Sequence, residues 1–207
     1  MRFGVFIYDG VEPIDLAAFG VLSMARRVVP EIEPVAIAPR GGRVALANGL
    51  DAVARYGVDD APPLEVLIVT GGPGWKAQCA NPDTLDFVRD RARDTLVASV
   101  CTGGMILAAS GILDGLKATT KKEVIAGQEV PPLELMQRDY PQIDALPARL
   151  VDCGRVVTGG GVTLCIDVVL HLLERLFDAR VAAETARILE YTTAWHANRQ
   201  AFRAVVG

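Results

Sequence analysis

An α/β fold with a mainly parallel sheet is expected from two features of the sequence. Short apolar runs alternate with helical stripes along the whole chain, and the runs end in glycine-rich or polar turns that open the next helix. Strands separated by helices imply right-handed βαβ units, with helices covering both faces of the sheet. At 207 residues, 51% of them apolar, the chain suits one domain with a sizeable core, and residues 1–207 are read as that domain.

The elements follow in order. Phe3–Tyr8 is an apolar run that stops at Asp9-Gly10, a buried strand. From Pro13, apolar residues at Ile14, Ala17, Ala18, Val21, Leu22 and Ala25 form a helical stripe with proline in its first turn. Pro34–Ala38 reads as a strand, and Leu50–Tyr56 as part of a small hairpin or an edge element. Val66–Thr70 is a strand, Pro82–Arg93 a helix, Leu96–Val100 a strand and Gly103–Ser110 a helix. Glu123–Gly127 and Pro132–Arg138 carry weaker helical patterns. Leu150–Cys153 and Arg155–Thr158 flank Gly154 as a hairpin, and Val162–Phe177 and Arg180–Tyr191 read as two strong helices.

Composition excludes several classes of function. The net charge is −4 and no basic run exceeds Lys121-Lys122, so a nucleic-acid or anionic-membrane surface is not expected. The N-terminal apolar stretch breaks at Asp9-Gly10, too early for a signal peptide, and no apolar run approaches the roughly 20 residues of a membrane span. A cytoplasmic protein is expected. Cys79, Cys101, Cys153 and Cys165 show no C-x-x-C spacing, and His171 and His196 are the only histidines, so neither a disulfide framework nor a metal site is expected.

In a parallel sheet of this kind ligands bind beyond the carboxyl ends of the strands. Four post-strand segments therefore carry the chemistry: Asp9–Asp15, Thr70–Trp75, Ser99–Gly104 and Thr158–Thr163. Ser99-Val100-Cys101-Thr102-Gly103-Gly104 has the layout of a nucleophile elbow, in which a tight strand-to-helix turn presents the nucleophile and glycines let the helix pack closely. At a helix N-terminus the thiolate of Cys101 is favoured over the thiol, so an exposed cysteine with a depressed pKa is expected, whereas Cys153 and Cys165 read as small buried residues. Gly72 and the Thr102 amide are candidate oxyanion or substrate donors. The late Gly159–Gly161 run lacks the Lys-Ser/Thr of a phosphate loop.

A nucleophilic thiol needs a proton carrier. Asp15 and Glu12 lie on the expected edge; beside the thiolate, Asp15 is expected to have its pKa raised by like-charge repulsion and partial burial and to act as the proton donor, although it has an alternative role complementing a helix dipole. His171 sits in Val168-Val169-Leu170-His171-Leu172-Leu173 and reads as a packed core residue, and His196 as a surface or interface residue.

Asp15-Leu16, Thr70–Gly74, Val100–Gly103, the stretch Ala108–Thr120 and the helix Gly161–Phe177 together resemble the ThiJ/PfpI superfamily, which is related to class I glutamine amidotransferases. The resemblance covers nearly the whole chain and implies a flavodoxin-like three-layer sandwich, a nucleophilic Cys101 and a homodimer. Tyr191, Trp195 and Phe202 are the apolar and aromatic candidates for an exposed interface. Protease-like and deglycase-like members carry His after the elbow cysteine and Glu on the first loop, where this chain has Thr102 and Asp15. Asp15, Cys101 and Thr102 resemble the isonitrile hydratase branch, and Ala118-Thr119-Thr120-Lys121-Lys122 replaces the Ala-Thr-Thr-His-Trp of many relatives. The resemblance implies cofactor-independent hydration of a small-molecule isonitrile to an N-substituted formamide. The alternatives are a ligand-sensing module like that of AraC-type regulators, and a redox-responsive cysteine protein.

Overall fold

The computed structural model describes residues 1–207, and the expected apolar runs supply the central strands of its sheet, with the short strands at Gly42–Ala45, Lys117–Ala118, Asp144–Ala145 and Ala204–Val206 added to them. The strands are β1 (Arg2–Phe6), β2 (Glu33–Ala38), β3 (Gly42–Ala45), β4 (Asp51–Ala54), β5 (Tyr56–Gly57), β6 (Val66–Val69), β7 (Leu96–Ser99), β8 (Lys117–Ala118), β9 (Asp144–Ala145), β10 (Leu150–Asp152), β11 (Val156–Gly159) and β12 (Ala204–Val206). Eight of them form one sheet in the order β12-β10-β11-β7-β6-β1-β2-β5. β5 to β11 run parallel, and β10 pairs antiparallel with β11 through the expected hairpin, with Asp152 opposite Val157. Leu50–Tyr56 divides between the two roles expected of it, since β4 closes a hairpin on β3 and β5 lies at the sheet edge beside β2.

The helices are α1 (Ala17–Ala25), α2 (Trp75–Cys79), α3 (Pro82–Arg91), α4 (Gly103–Ser110), α5 (Pro132–Asp139), α6 (Cys165–Leu176), α7 (Ala179–Ile188) and α8 (Thr192–Ala201). Asn81 caps α3 by accepting the Asp83 N–H at 3.0 Å, and Asp178 caps α7 by accepting the Val181 N–H at 2.7 Å. No helix is long and apolar enough to cross a membrane, and no group of three or more His, Cys, Asp or Glu side chains is placed to hold a metal ion. The architecture is the flavodoxin-like α/β sandwich. Val66–Val69 is buried on both sides because helices cover both faces of the sheet. One apolar cluster of 49 buried residues runs through it. Full burial of side chains such as Phe3, Leu22 and Ile106 stabilises the fold by about 1.5–3 kcal/mol each.

Four local expectations are corrected. Glu123–Gly127 is not helical: Gly127 takes φ +75° in a turn, and β-branched Val124 and Ile125 precede it. The first helix begins as a single 3-10 turn over Pro13–Leu16, with α1 starting only at Ala17. α8 and β12 extend the order beyond the last expected helix. Trp195 is 5% exposed and packs in the core instead of standing at an exposed interface, while Tyr191, tied to Asp167 at 3.0 Å, and Phe202 are half-buried.

His171 is half-buried rather than part of the core, its Nε2 2.7 Å from Asp152 Oδ2, and His196 is exposed. Cys165 is fully buried as expected, whereas Cys153 is half-exposed.

Gly20 lies exposed within α1, and a Cβ there meets nothing within 4 Å. Gly20→Ala is expected to stabilise the protein by about 0.5–1 kcal/mol through helix propensity, read as a rise in thermal midpoint.

Candidate active site

The chain leaves β1 toward β2 on one side and later returns to place β6 on the other side of β1, so the topological switch falls between β1 and β6. The loops beyond the carboxyl ends of β1, β6 and β7 converge there. They carry Asp15, Gly71-Gly72 and Cys101.

Cys101 follows β7 directly and has φ +51°, a left-handed conformation that a non-glycine residue adopts at an energetic cost. That conformation turns the chain from strand to helix in one step, as a nucleophile elbow requires. Two glycines make the turn fit. A Cβ on Gly103 would lie 2.2 Å from the Val69 carbonyl oxygen, and one on Gly71 would lie 2.4 Å from the Thr102 nitrogen. From behind, the Thr120 hydroxyl donates to the Cys101 carbonyl at 2.8 Å, and the Thr119 N–H donates to Thr158 Oγ1 at 2.9 Å.

Asp15 sits in the 3-10 turn and is completely buried. Its Oδ2 accepts the Gly71 N–H at 2.6 Å, while Oδ1 is buried without a hydrogen-bond partner. Burial pushes the carboxyl up from 3.8 to about 7, against the opposing pull of the Gly71 amide and the Cys101 thiol. A role for Asp15 in complementing a helix dipole is therefore replaced by contact with the β6 loop and the elbow.

Two expectations about the thiol are corrected. Cys101 is only 2% exposed, forming the floor of a cleft instead of projecting into solvent. Burial, followed by the Asp15 charge, pushes the thiol up to about 12, although the Thr102 N–H and Lys121 act in the opposite direction. Desolvation beside a carboxylate outweighs the helix terminus. Below the cleft, Tyr8 is buried with its hydroxyl donating to the Thr70 carbonyl at 3.1 Å, and burial and Asp15 push its pKa well up.

Gly72 lines the cleft, but its N–H is donated to Thr102 Oγ1 at 2.8 Å. The expected oxyanion donor thus holds the Thr102 side chain in place, and the Thr102 amide is left as the donor beside the sulfur.

The cleft has a volume of about 820 Å³. Ile14, Trp75, Val124, Val130, Leu135 and Val162 supply apolar walls, and Glu12, Lys76, Lys121, Glu129 and Arg138 supply charge. Neither histidine lines it. Asp15, Cys101 and Thr102 are brought together as the sequence suggests, with Glu12 at the cleft wall. Trp75, Lys121 and Arg138 were not singled out as site residues. The placement of Trp75 directly after the β6 glycines, and of Lys121 after the Thr119-Thr120 pair, was the available signal.

An α/β sandwich with a strained cysteine elbow at its switch point, and a buried carboxyl in place of a histidine, defines the class of protein. The chain belongs to the DJ-1/PfpI family, whose model matches residues 1–175. It is 30% identical over 199 residues to isonitrile hydratase of Pseudomonas putida, covering 94% of this chain and 80% of the relative. It is also 30% identical over 154 residues to the HTH-type transcriptional regulator GbdR of Pseudomonas aeruginosa, covering 73% of this chain but only 39% of the regulator. The crystal structure of a ThiJ/PfpI family protein from Pseudomonas syringae superposes with a TM-score of 0.79 at 26% identity, over 92% of this chain and 74% of that one.

Proposed function

We propose that the protein is a cofactor-independent isonitrile hydratase in which Cys101 is the nucleophile, Asp15 the proton carrier and Thr102 the amide donor. The observation that carries this reading is the buried Asp15 carboxyl, raised to about 7, with Oδ1 unpartnered beside a neutral thiol in a cleft that no histidine lines.

The steps balance around one proton. The Cys101 S–H proton passes to Asp15 as sulfur attacks the terminal isonitrile carbon. Asp15 then protonates that same carbon, giving an S-linked thioimidate, R–N=CH–S–Cys101, and regenerating its carboxylate. Water adds to the thioimidate carbon, one proton going through Asp15 to nitrogen and the hydroxyl remaining on carbon. That hydroxyl loses its proton to Asp15, the C–S bond breaks, and the departing thiolate takes the proton back. The product is R–NH–CHO. The Thr102 amide stabilises negative charge on sulfur in the first and last steps. The similarity to isonitrile hydratase over 94% of the chain supports this substrate class.

The starting pair needs an ionised Asp15 and a protonated Cys101. Because the carboxyl titrates at about 7 and the thiol near 12, kcat/KM is expected to rise about tenfold per pH unit below about pH 7, level off above it, and show no thiol-linked fall below pH 10. The measurement is formamide production from a panel of alkyl and aryl isonitriles, followed by mass spectrometry across pH 5–10. Protein with an intact Cys101 thiol that yields no formamide from any of them would sink hydration. A second reading is then favoured by the match to GbdR, in which the same cleft binds a small ligand without turning it over.

A further inference from the structure

We propose that Lys121 is a positioning residue for the Cys101 anion, its ammonium standing on the cleft wall directly after the threonine that holds the elbow. The proposal rests on Cys101 being the nucleophile, and it adds the source of positive charge that the reaction needs while sulfur is ionised.

The geometry begins at the elbow itself. Thr120 donates its hydroxyl to the Cys101 carbonyl at 2.8 Å, which fixes the chain that follows against the turn. The Lys121 carbonyl accepts the Leu133 N–H at 3.0 Å, so this residue is held from both sides, by the elbow and by the start of α5. Lys121 lines the cleft that has Cys101 as its floor, and its Nζ donates to the Glu123 carbonyl instead of to a carboxylate. The net charge of Lys121 is therefore not cancelled by an ion pair.

The other cations are differently engaged. Lys122, the next residue, lies over the Phe202 ring at 5.2 Å and does not line the cleft. Lys76 lies over Trp75 at 5.6 Å, and Arg138 is paired with Asp139 at 2.6 Å. Against them stand Glu12 and Glu129 on the cleft wall, and Asp15 beside the sulfur. Lys121 is the cation whose field favours ionised Cys101, opposing burial and Asp15. When the S–H proton moves to Asp15, the carboxyl becomes neutral, and the new negative charge on sulfur faces Lys121 with Glu12 and Glu129 left as the anions of the cleft wall.

The test reads the thiol directly and uses no isonitrile, so its failure and the failure of hydration are separately visible. Alkylation of Cys101 by iodoacetamide is followed by peptide mass spectrometry between pH 7.5 and 9.5 in wild type, Lys121→Met, Lys121→Gln, Lys121→Arg and Lys122→Met. Loss of one nearby cation is expected to lower the Cys101 rate about tenfold at every pH in Lys121→Met and Lys121→Gln, displacing the profile upward by about one pH unit. Lys121→Arg keeps the charge and is expected to stay within about threefold of wild type, and Lys122→Met to match wild type. Adding salt should shrink the difference between wild type and Lys121→Met, because the cleft is open to ions. If one neutral variant fails to fold, the other gives the reading. If both fail, the Lys121→Arg protein decides it through the salt dependence of its rate, which a purely structural lysine would not confer. Superimposed profiles for wild type and the neutral variants, an equal fall in Lys122→Met, or a rate insensitive to salt would overturn the proposal.

Discussion

Asp15→Asn is expected to leave a protein that is nearly inactive and more stable than wild type. The amide retains an oxygen for the Gly71 N–H, now 2.6 Å from Oδ2, but it cannot take the Cys101 proton. Loss of a general acid–base group lowers turnover by about 10²–10⁴-fold. The stability effect follows from the same atom. Raising a buried carboxyl from 3.8 to about 7 corresponds to about 4 kcal/mol favouring its neutral form in the folded state. For a group with a raised folded pKa, that stability is fully present below about pH 4 and is lost as pH rises through 7. The asparagine carries no charge at any pH, so its advantage should be small at pH 4 and grow to about 2–4 kcal/mol by pH 8. Thermal unfolding of both proteins between pH 4 and 8 checks this. A constant difference across that range, or full activity in the variant, would rule out Asp15 as the proton carrier and turn attention to Glu12.

The second large effect is at Cys101. Cys101→Ala should reduce formamide production to the uncatalysed background, because no thioimidate forms. Cys101→Gly should be equally inactive but more stable than the alanine variant. Glycine adopts φ +51° without the penalty of about 1–2 kcal/mol that a Cβ incurs there. Urea titrations of the two variants make the comparison, and a glycine variant no more stable than the alanine one would remove the strain argument.

Much of this arrangement was legible in the residues. Val66–Thr70 and Leu96–Val100 announced strands as short apolar runs, and Cys101 between such a strand and Gly103-Gly104 announced the elbow. Asp15 was legible as a position and as a carboxyl whose pKa is raised beside the thiol, but its complete burial was not. Its burial comes from the β6 loop closing over it through Gly71, a contact between residues 56 positions apart. The same non-local packing set the direction of the Cys101 shift. A helix N-terminus is visible in sequence, whereas desolvation beside a carboxylate is not. The Gly72 amide was misjudged because its partner, Thr102 Oγ1, lies on another loop. The 121–130 wall of the cleft carries no periodicity, and Glu123–Gly127 borrowed a weak helical pattern that the turn at Gly127 overrides.

The strained elbow and the buried, half-partnered carboxylate have a consequence for laboratory evolution. Each residue carries a local cost, backbone strain at Cys101 and a buried charge at Asp15, and each has a substitution that relieves it one nucleotide away, Cys to Gly and Asp to Asn. Random libraries challenged only by heat should therefore accumulate changes at 101 and 15 early, and the survivors would be robust proteins with a silent cleft. Selections for hardier variants need an activity screen in every round, and enrichment at these two codons in a heat-only control would mark where the native sequence trades robustness for reactivity.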